Sequence, residues 1–88
     1  MNINFTNTGW DDYTYWIGQN KKTIKRINNL IEDIQRNGND GIGKPEPLRN
    51  EMSGWWSSRI DEKNRLVYRI VGEDAVEISQ CKGHYDDN

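Results

Sequence analysis

Several residue types are scarce in this sequence, and each scarcity removes a class of explanation. Cysteine occurs once, at Cys81, which excludes an internal disulfide and any multi-cysteine zinc site and makes a reducing compartment the simpler setting. Histidine also occurs once, at His84. No two-histidine nuclease can be assembled from it, and one imidazole among scattered acids is no zinc or magnesium site, so no metal or other cofactor is expected. Long hydrophobic runs are missing, and Met1 to Thr8 has neither the basic start nor the apolar stretch of a signal peptide, so a soluble, cytoplasmic chain without a membrane partner is expected. Apolar residues make up only 33% of 88 residues, against 30% charged. A chain of this size holds one compact domain, here residues 1–88 with 86–88 expected as a flexible tail. Its core is expected to rest on a few large side chains, notably Trp10, Trp16, Trp55 and Trp56.

The net charge of -2 argues at first against a nucleic-acid partner, because phosphate is normally met by an excess of Lys and Arg. The average hides a segregation. Residues 21–69 hold eleven of the twelve Lys and Arg against seven acids, whereas residues 70–88 hold only Lys82 against Glu73, Asp74, Glu77, Asp86 and Asp87. A basic region joined to an acidic end therefore has to be explained.

Asn2 to Thr6 alternates polar and apolar residues as a half-buried strand does. Thr8 followed by Asp11 resembles a capping box, after which Trp10, Tyr13, Trp16 and Ile17 recur at helical spacing up to Gly18. A second helix is marked by the stripe Ile24, Ile27, Leu30, Ile31 and Ile34, with Asn20 as N-cap and Asn37-Gly38 as the stop. Its charges oppose the helix dipole, since Lys21, Lys22, Lys25 and Arg26 sit at the positive end, at a cost of about a few tenths of a kcal/mol each. Either they solubilise the helix or something outside it, such as phosphate, favours them there. Residues 37–47, with Gly38, Gly41, Gly43, Pro45 and Pro47, form a loop. Three strand-like runs follow, Trp55 to Ile60, Leu66 to Val71 and Ala75 to Gln80. The expected fold is α+β, with two N-terminal helices packed on one face of a twisted, mainly antiparallel sheet in the order β-α-α-β-β-β.

Strand parity then sorts the side chains into two faces. If Trp56, Ile60, Leu66, Tyr68 and Ile70 share the core, Trp55 and Arg59 share the other face with Arg65, Val67 and Arg69. Guanidiniums grouped in this way bind phosphate through planar forks, and Trp55 beside them offers a surface for base stacking. Both prolines of the chain flank Glu46, which holds that carboxylate in extended geometry, and Lys44 and Arg49 add cations around it. Taken alone, an acid in a Pro-rich turn is ordinary surface, and a histidine near a C-terminus is usually incidental. Together they make a chemistry. A carboxylate can remove a ribose 2′-OH proton, an imidazolium can protonate a departing 5′-oxygen, and guanidiniums can stabilise the phosphorane between them.

The segments GIGKPEPL, SGWWSSRI, NRLVYRI and CKGHY, in this order, resemble the signature segments of YoeB-type toxins of the RelE/ParE superfamily. Trp10-Asp11-Asp12-Tyr13 and the basic second helix fit the same pattern, so the likeness covers nearly the whole chain. The resemblance implies a metal-independent mRNA interferase that cuts messenger RNA in the A site of the 70S ribosome and is silenced by a cognate, YefM-like antitoxin. By the same resemblance Glu46 is the general base, His84 the general acid, Arg65 the main phosphate stabiliser assisted by Arg59, and Tyr85 a shaper of the site. Monomer and homodimer both stay open. Two features depart from the family: the chain runs on past His84-Tyr85, and Lys63-Asn64 replaces a turn usually richer in acid and His, a change expected to retune ribosomal contacts. Two other readings compete, a non-catalytic ParE-like toxin aimed at a protein target and a pure interaction module. Glu46, Arg65 and His84 together argue against both.

Overall fold

A computed structural model describes residues 1–83; His84, Tyr85 and the expected tail at 86–88 lie outside the described residues. The fold is α+β. Strand β1 (Asn2–Phe5) leads into helix α1 (Asn7–Gln19) and helix α2 (Lys21–Asn37), and the chain returns through β2 (Glu46–Pro47), β3 (Trp56–Arg59), β4 (Arg65–Val71) and β5 (Ala75–Gln80). The five strands form one sheet in the order β1-β5-β4-β3-β2. Among the described residues, only β1 and β5 run parallel, and the other pairings are antiparallel.

Helix α2 forms as its sequence dictates. Asn20, extended at φ -155° and ψ 105°, accepts from the N–H groups of Lys22 and Thr23 at 3.0 and 3.2 Å, satisfying donors that the first turn leaves unpaired. Gly38, at φ 61°, ends it and donates its N–H to the Ile34 carbonyl, a reversal that suits glycine. Ile27, Leu30, Ile31 and Ile34 are buried against Leu66, Tyr68, Val76 and Ile78 of the sheet. Each such side chain contributes about 1.5–3 kcal/mol by leaving water.

Helix α1 differs from expectation in its start and in its face. Thr6, not Thr8, caps it: the Thr6 hydroxyl accepts from Gly9 N–H at 3.0 Å and donates to the Ser79 carbonyl at 2.8 Å. The helix then lies backbone-close on β5, where a Cβ at Gly9 would come within 2.5 Å of the Ile78 oxygen. That contact turns Gly9, Asp12, Tyr13 and Trp16 towards the sheet and leaves Trp10 and Ile17 52% and 57% exposed. The expected tryptophan core is therefore wrong. Trp16 and Trp56 pack against the core from its edge, and Trp10 joins Phe5 and Tyr13 in a peripheral aromatic group. Branched aliphatics and Tyr68 fill the interior instead.

The glycine-rich loop after α2 is pinned rather than loose. Asp33 of α2 accepts from the Ile42 N–H at 2.7 Å, and the Gly43 carbonyl accepts from the Arg59 N–H at 3.0 Å. A Cβ on Gly43 would meet Leu30 and Ser58 at 2.8 Å, so glycine is what lets the loop lie this close to the core. The loop delivers Glu46 and Pro47 as a short strand on the sheet's edge, an element hidden by its proline content. An edge is where proline is tolerated in a sheet.

Candidate functional site

The two faces of the sheet are unequal. The helices cover one, and the other carries the residues picked out by parity. Ser57 lies between Glu46 and Val67 in register, and Val67 pairs on its far side with Gln80. Glu46, Ser57, Val67 and Gln80 thus cross the open face as one row. Arg59 pairs directly with Arg65, two residues along from that row. Two guanidiniums placed opposite each other on a sheet destabilise it by a few tenths to about 1 kcal/mol, a cost that an anion between them reverses. At sheet spacings Glu46 lies diagonally beside Arg59 and about 12 Å from Arg65 between α-carbons. Backbone strain is stored at the approach to this row: Lys44, just before Pro45-Glu46, has φ 50°, a conformation that costs a non-glycine residue about 1 kcal/mol or more.

On the other side of the row, Arg69 is already engaged. Its Nε donates to Glu77 at 2.6 Å, and its guanidinium lies over the Trp55 ring, 4.5 Å from the centroid. Sequence reading proposed Arg69 and Trp55 as separate RNA contacts; the structure joins them in one stacked unit with an acid behind it. Lys44 and Arg49 are exposed in the segments flanking β2. Lys21, Lys22 and Lys25 are exposed on α2, while Arg26 donates to the Arg59 carbonyl at 3.0 Å. That bond connects the basic helix to the arginine pair. An open cleft of about 340 Å³, lined by Lys22, Thr23, Arg26, Ile60 and Asp61, lies between the start of α2 and the residues that follow β3.

The last described residue, Gly83, meets the strand that carries Arg65. The Arg65 N–H donates to the Gly83 carbonyl at 3.0 Å, so the residue before His84 is fixed beside the proposed phosphate binder. Cys81, next to it in the fold, is buried, and its thiol is pushed up to about 12, by burial first and then by the Asp12 carboxylate. Such a thiol stays protonated near neutral pH and is no nucleophile. At the β3–β4 turn, partial burial works to raise the Asp61 carboxyl, but hydrogen bonds from the Asn64 side chain and from the Lys63 and Asn64 N–H groups, with the Lys63 charge, leave it below its usual value.

Parity reasoning missed Ser57 and Gln80. Ser57 was within reach, since it lies midway between Trp55 and Arg59. Gln80 was not, because β5 carries a bulge opposite Val67/Tyr68. After inward-facing Val76 and Ile78, simple alternation points Gln80 inward; the extra residue reverses this and buries Cys81 instead.

Residues 5–85 match the family model of the YoeB-like toxin of bacterial type II toxin-antitoxin systems. The chain is 49% identical over 85 residues to Toxin YoeB of Streptomyces coelicolor, covering 97% of this chain and 100% of the relative. Among solved structures it is similar to a YoeB/ParE toxin from Agrobacterium tumefaciens, with a TM-score of 0.93 and 41% identity over 97% of this chain and 100% of that one. It is also similar, at TM-score 0.89 and 43% identity over 97% and 98% of the two chains, to a toxin from Staphylococcus aureus solved both as a YoeB dimer and as a YoeB-YefM complex.

Proposed function

The chain belongs to the YoeB-like toxins of type II toxin-antitoxin systems, and from that premise we propose that it is a ribosome-dependent endoribonuclease that cleaves messenger RNA in the A site. The observation that carries this reading is the row from Glu46 across Ser57 to Val67, with the Arg59–Arg65 pair directly beside it. Glu46 takes the proton of a ribose 2′-OH. The 2′-oxygen forms a bond to the adjacent phosphorus, the bond to the 5′-oxygen breaks, and His84 supplies the proton that the departing oxygen needs. Arg65 and Arg59 neutralise the charge that builds on the phosphorane. Tyr85 shapes the site or the substrate. Trp55, stacked with Arg69, offers a face for a base, and Lys44 and Arg49 draw the backbone in. No step in this sequence calls for a metal ion.

Protein-only acid-base catalysis of this kind depends on alignment of the 2′-OH, phosphorus and leaving oxygen. The ribosome supplies that alignment, held through the basic run Lys21, Lys22, Lys25 and Arg26, and its cytoplasmic location is then the protein's own. The S. aureus relative was solved with YefM and as a dimer, so a YefM-like antitoxin is the partner proposed here, and self-association is open to this chain too. An acidic antitoxin segment laid across the arginine face and folding as it binds would silence the site. The test is primer-extension mapping of messenger RNA on programmed ribosomes with purified protein. Discrete cuts in the A-site codon are expected. Growth arrest with intact messenger RNA would overturn the reading in favour of a ParE-like toxin aimed at a protein.

A further inference from the structure

The open face holds three arginines, and they are not equivalent. Among the described residues no carboxylate pairs with the guanidiniums of Arg59 or Arg65, whereas Arg69 Nε donates to Glu77 Oε1 at 2.6 Å. Arg69 and Glu77 face each other in register on β4 and β5, the placement in which opposite charges stabilise a sheet. The same guanidinium lies over the Trp55 ring, 4.5 Å from its centroid, a distance at which the indole quadrupole attracts a cation. Trp55 is half-buried, and the Arg69 side chain keeps 45% of its surface in solvent. With the indole on one side and Nε engaged, the guanidinium meets solvent on its other side. Its charge is already answered by Glu77, so it is a poorer phosphate binder than Arg59 or Arg65 and a better-fixed surface.

Successive rows of the open face lie two residues apart along β3 and β4, about 7 Å per step. The Arg59–Arg65 pair comes first, the Glu46–Ser57–Val67 row second, and Trp55 with Arg69 third. A nucleotide runs in the same order, from its 3′-phosphate to the ribose with its 2′-OH and then to the base. We infer that the Arg69 guanidinium, seated on Trp55, is a stacking platform for the base on the 5′ side of the scissile phosphate, and that Glu77 is a positioning residue that holds it there. The inference rests on Glu46 as the base and the arginine pair as the phosphate binder, and it adds which nucleobase is held and by what. Trp55 then supports that nucleobase through Arg69 rather than touching it directly. Guanidinium planes and aromatic rings stack on any nucleobase, so this site senses that one is present and not which one it is. An arginine reading a guanine edge bidentately would instead select a single base.

The experiment is single-turnover cleavage on programmed ribosomes, at subsaturating protein, with messages that carry a normal or an abasic ribonucleotide on the 5′ or the 3′ side of the cut. The full chain is compared with Arg69→Ala, Arg69→Lys, Trp55→Leu, the double variant Trp55→Leu/Arg69→Ala, Glu77→Gln and Glu77→Ala. In the full chain, removing the 5′ base is expected to slow cleavage about 5- to 150-fold, the range for one stacked base, and removing the 3′ base to slow it less. This penalty should shrink in each single variant of Arg69 or Trp55, Arg69→Lys included, because an ammonium keeps the charge but has no plane. It should vanish in the double variant. Glu77→Gln keeps an acceptor for Arg69 Nε and should retain more of the penalty than Glu77→Ala, a difference that lost stability alone would not produce. Should the double variant fail to fold, Arg69→Lys with the abasic message carries the comparison alone. An undiminished penalty in the folded double variant, or a penalty confined to the 3′ base, would overturn the inference and leave Glu46 and the arginine pair in their roles. A full penalty in Arg69→Lys would overturn it too, making Arg69 a simple cation. A full chain that prefers one base 5′ of the cut, and loses that preference in Arg69→Ala, would overturn it in favour of edge reading. No cuts by the full chain in the normal message would overturn the proposed function itself, and the inference with it.

Discussion

Strand β4 shows in adjacent residues how differently the two faces of this sheet are used. Leu66 and Val67 are both fully buried, but Leu66 belongs to the core under α2, whereas Val67 sits on the open face between Ser57 and Gln80. On the covered face, branched aliphatics pack with Tyr68 and Cys81, whose hydroxyl and thiol burial keeps protonated. On the open face, Arg59, Arg65, Arg69, Glu46 and Glu77 flank a single buried valine, Val67, set between Ser57 and Gln80. The first face carries most of the folding free energy, and the second holds charges that folding alone would not place together. Burial alone therefore does not tell a structural residue from a site residue; the neighbours on its own face do.

The division is tested most severely by the groups proposed for chemistry. Glu46→Gln, Arg65→Ala and His84→Ala are each expected to lower single-turnover cleavage by about 10²- to 10⁴-fold with little change in thermal midpoint. If the midpoint fell in step with the rate, the open face would be structural and the comparison would fail.

Leu66→Ala and Val67→Ala sharpen the same contrast within one dipeptide. Leu66→Ala is expected to cost about 2–5 kcal/mol, because its neighbours cannot close the cavity, which at about 4–8 °C per kcal/mol is a large fall in midpoint for a chain of this length. Its cleavage rate per folded molecule should be unchanged. Val67→Ala removes less apolar surface and should cost about 1–2 kcal/mol, yet slow cleavage in protein that is still folded, since Val67 stands in the Glu46 row two residues along β4 from Arg65. Chemical denaturation and cleavage measured on the same samples separate the two; equal ratios of rate loss to stability loss would erase the distinction.

Much of this was legible in the sequence for identifiable reasons. Helix α2 was, because its stripe, its Asn20 cap and its Gly38 stop all agree. The arginine face was, because alternation along β3 and β4 is unbroken from Trp56 to Ile70. Features set by tertiary packing were not. The turn of α1 follows from a backbone approach at Gly9 that no side-chain pattern announces. Strand β2 is two residues long and includes a proline. Gln80 is displaced by a bulge. The side chains that hold Cys81 and Gly83 by hydrogen bonds are those of Asp12 and Asn64, which are distant along the chain and individually unremarkable polar residues.

The smallest expected effect concerns the cations at the start of α2, which belong to neither face but meet the open one through Arg26. Lys21, Lys22 and Lys25 oppose the helix dipole, so replacing the three with Gln should stabilise the isolated protein by a few tenths of a kcal/mol per charge. Arg26 differs, because its guanidinium donates to the Arg59 carbonyl, and losing that bond should cost about 0.5–1 kcal/mol. The triple lysine variant is thus expected to melt above the parent chain, and the quadruple variant carrying Arg26→Gln to fall back towards it. Ribosome association should weaken in both, with the slope of log affinity against log salt flattening by about 0.7–0.9 for each phosphate no longer neutralised. Melting curves at low salt check the first half, and a salt titration of ribosome binding checks the second. A slope unchanged in both variants would make the lysines solvated surface, and a quadruple variant as stable as the triple would mean that Arg26 does not tie α2 to the arginine pair.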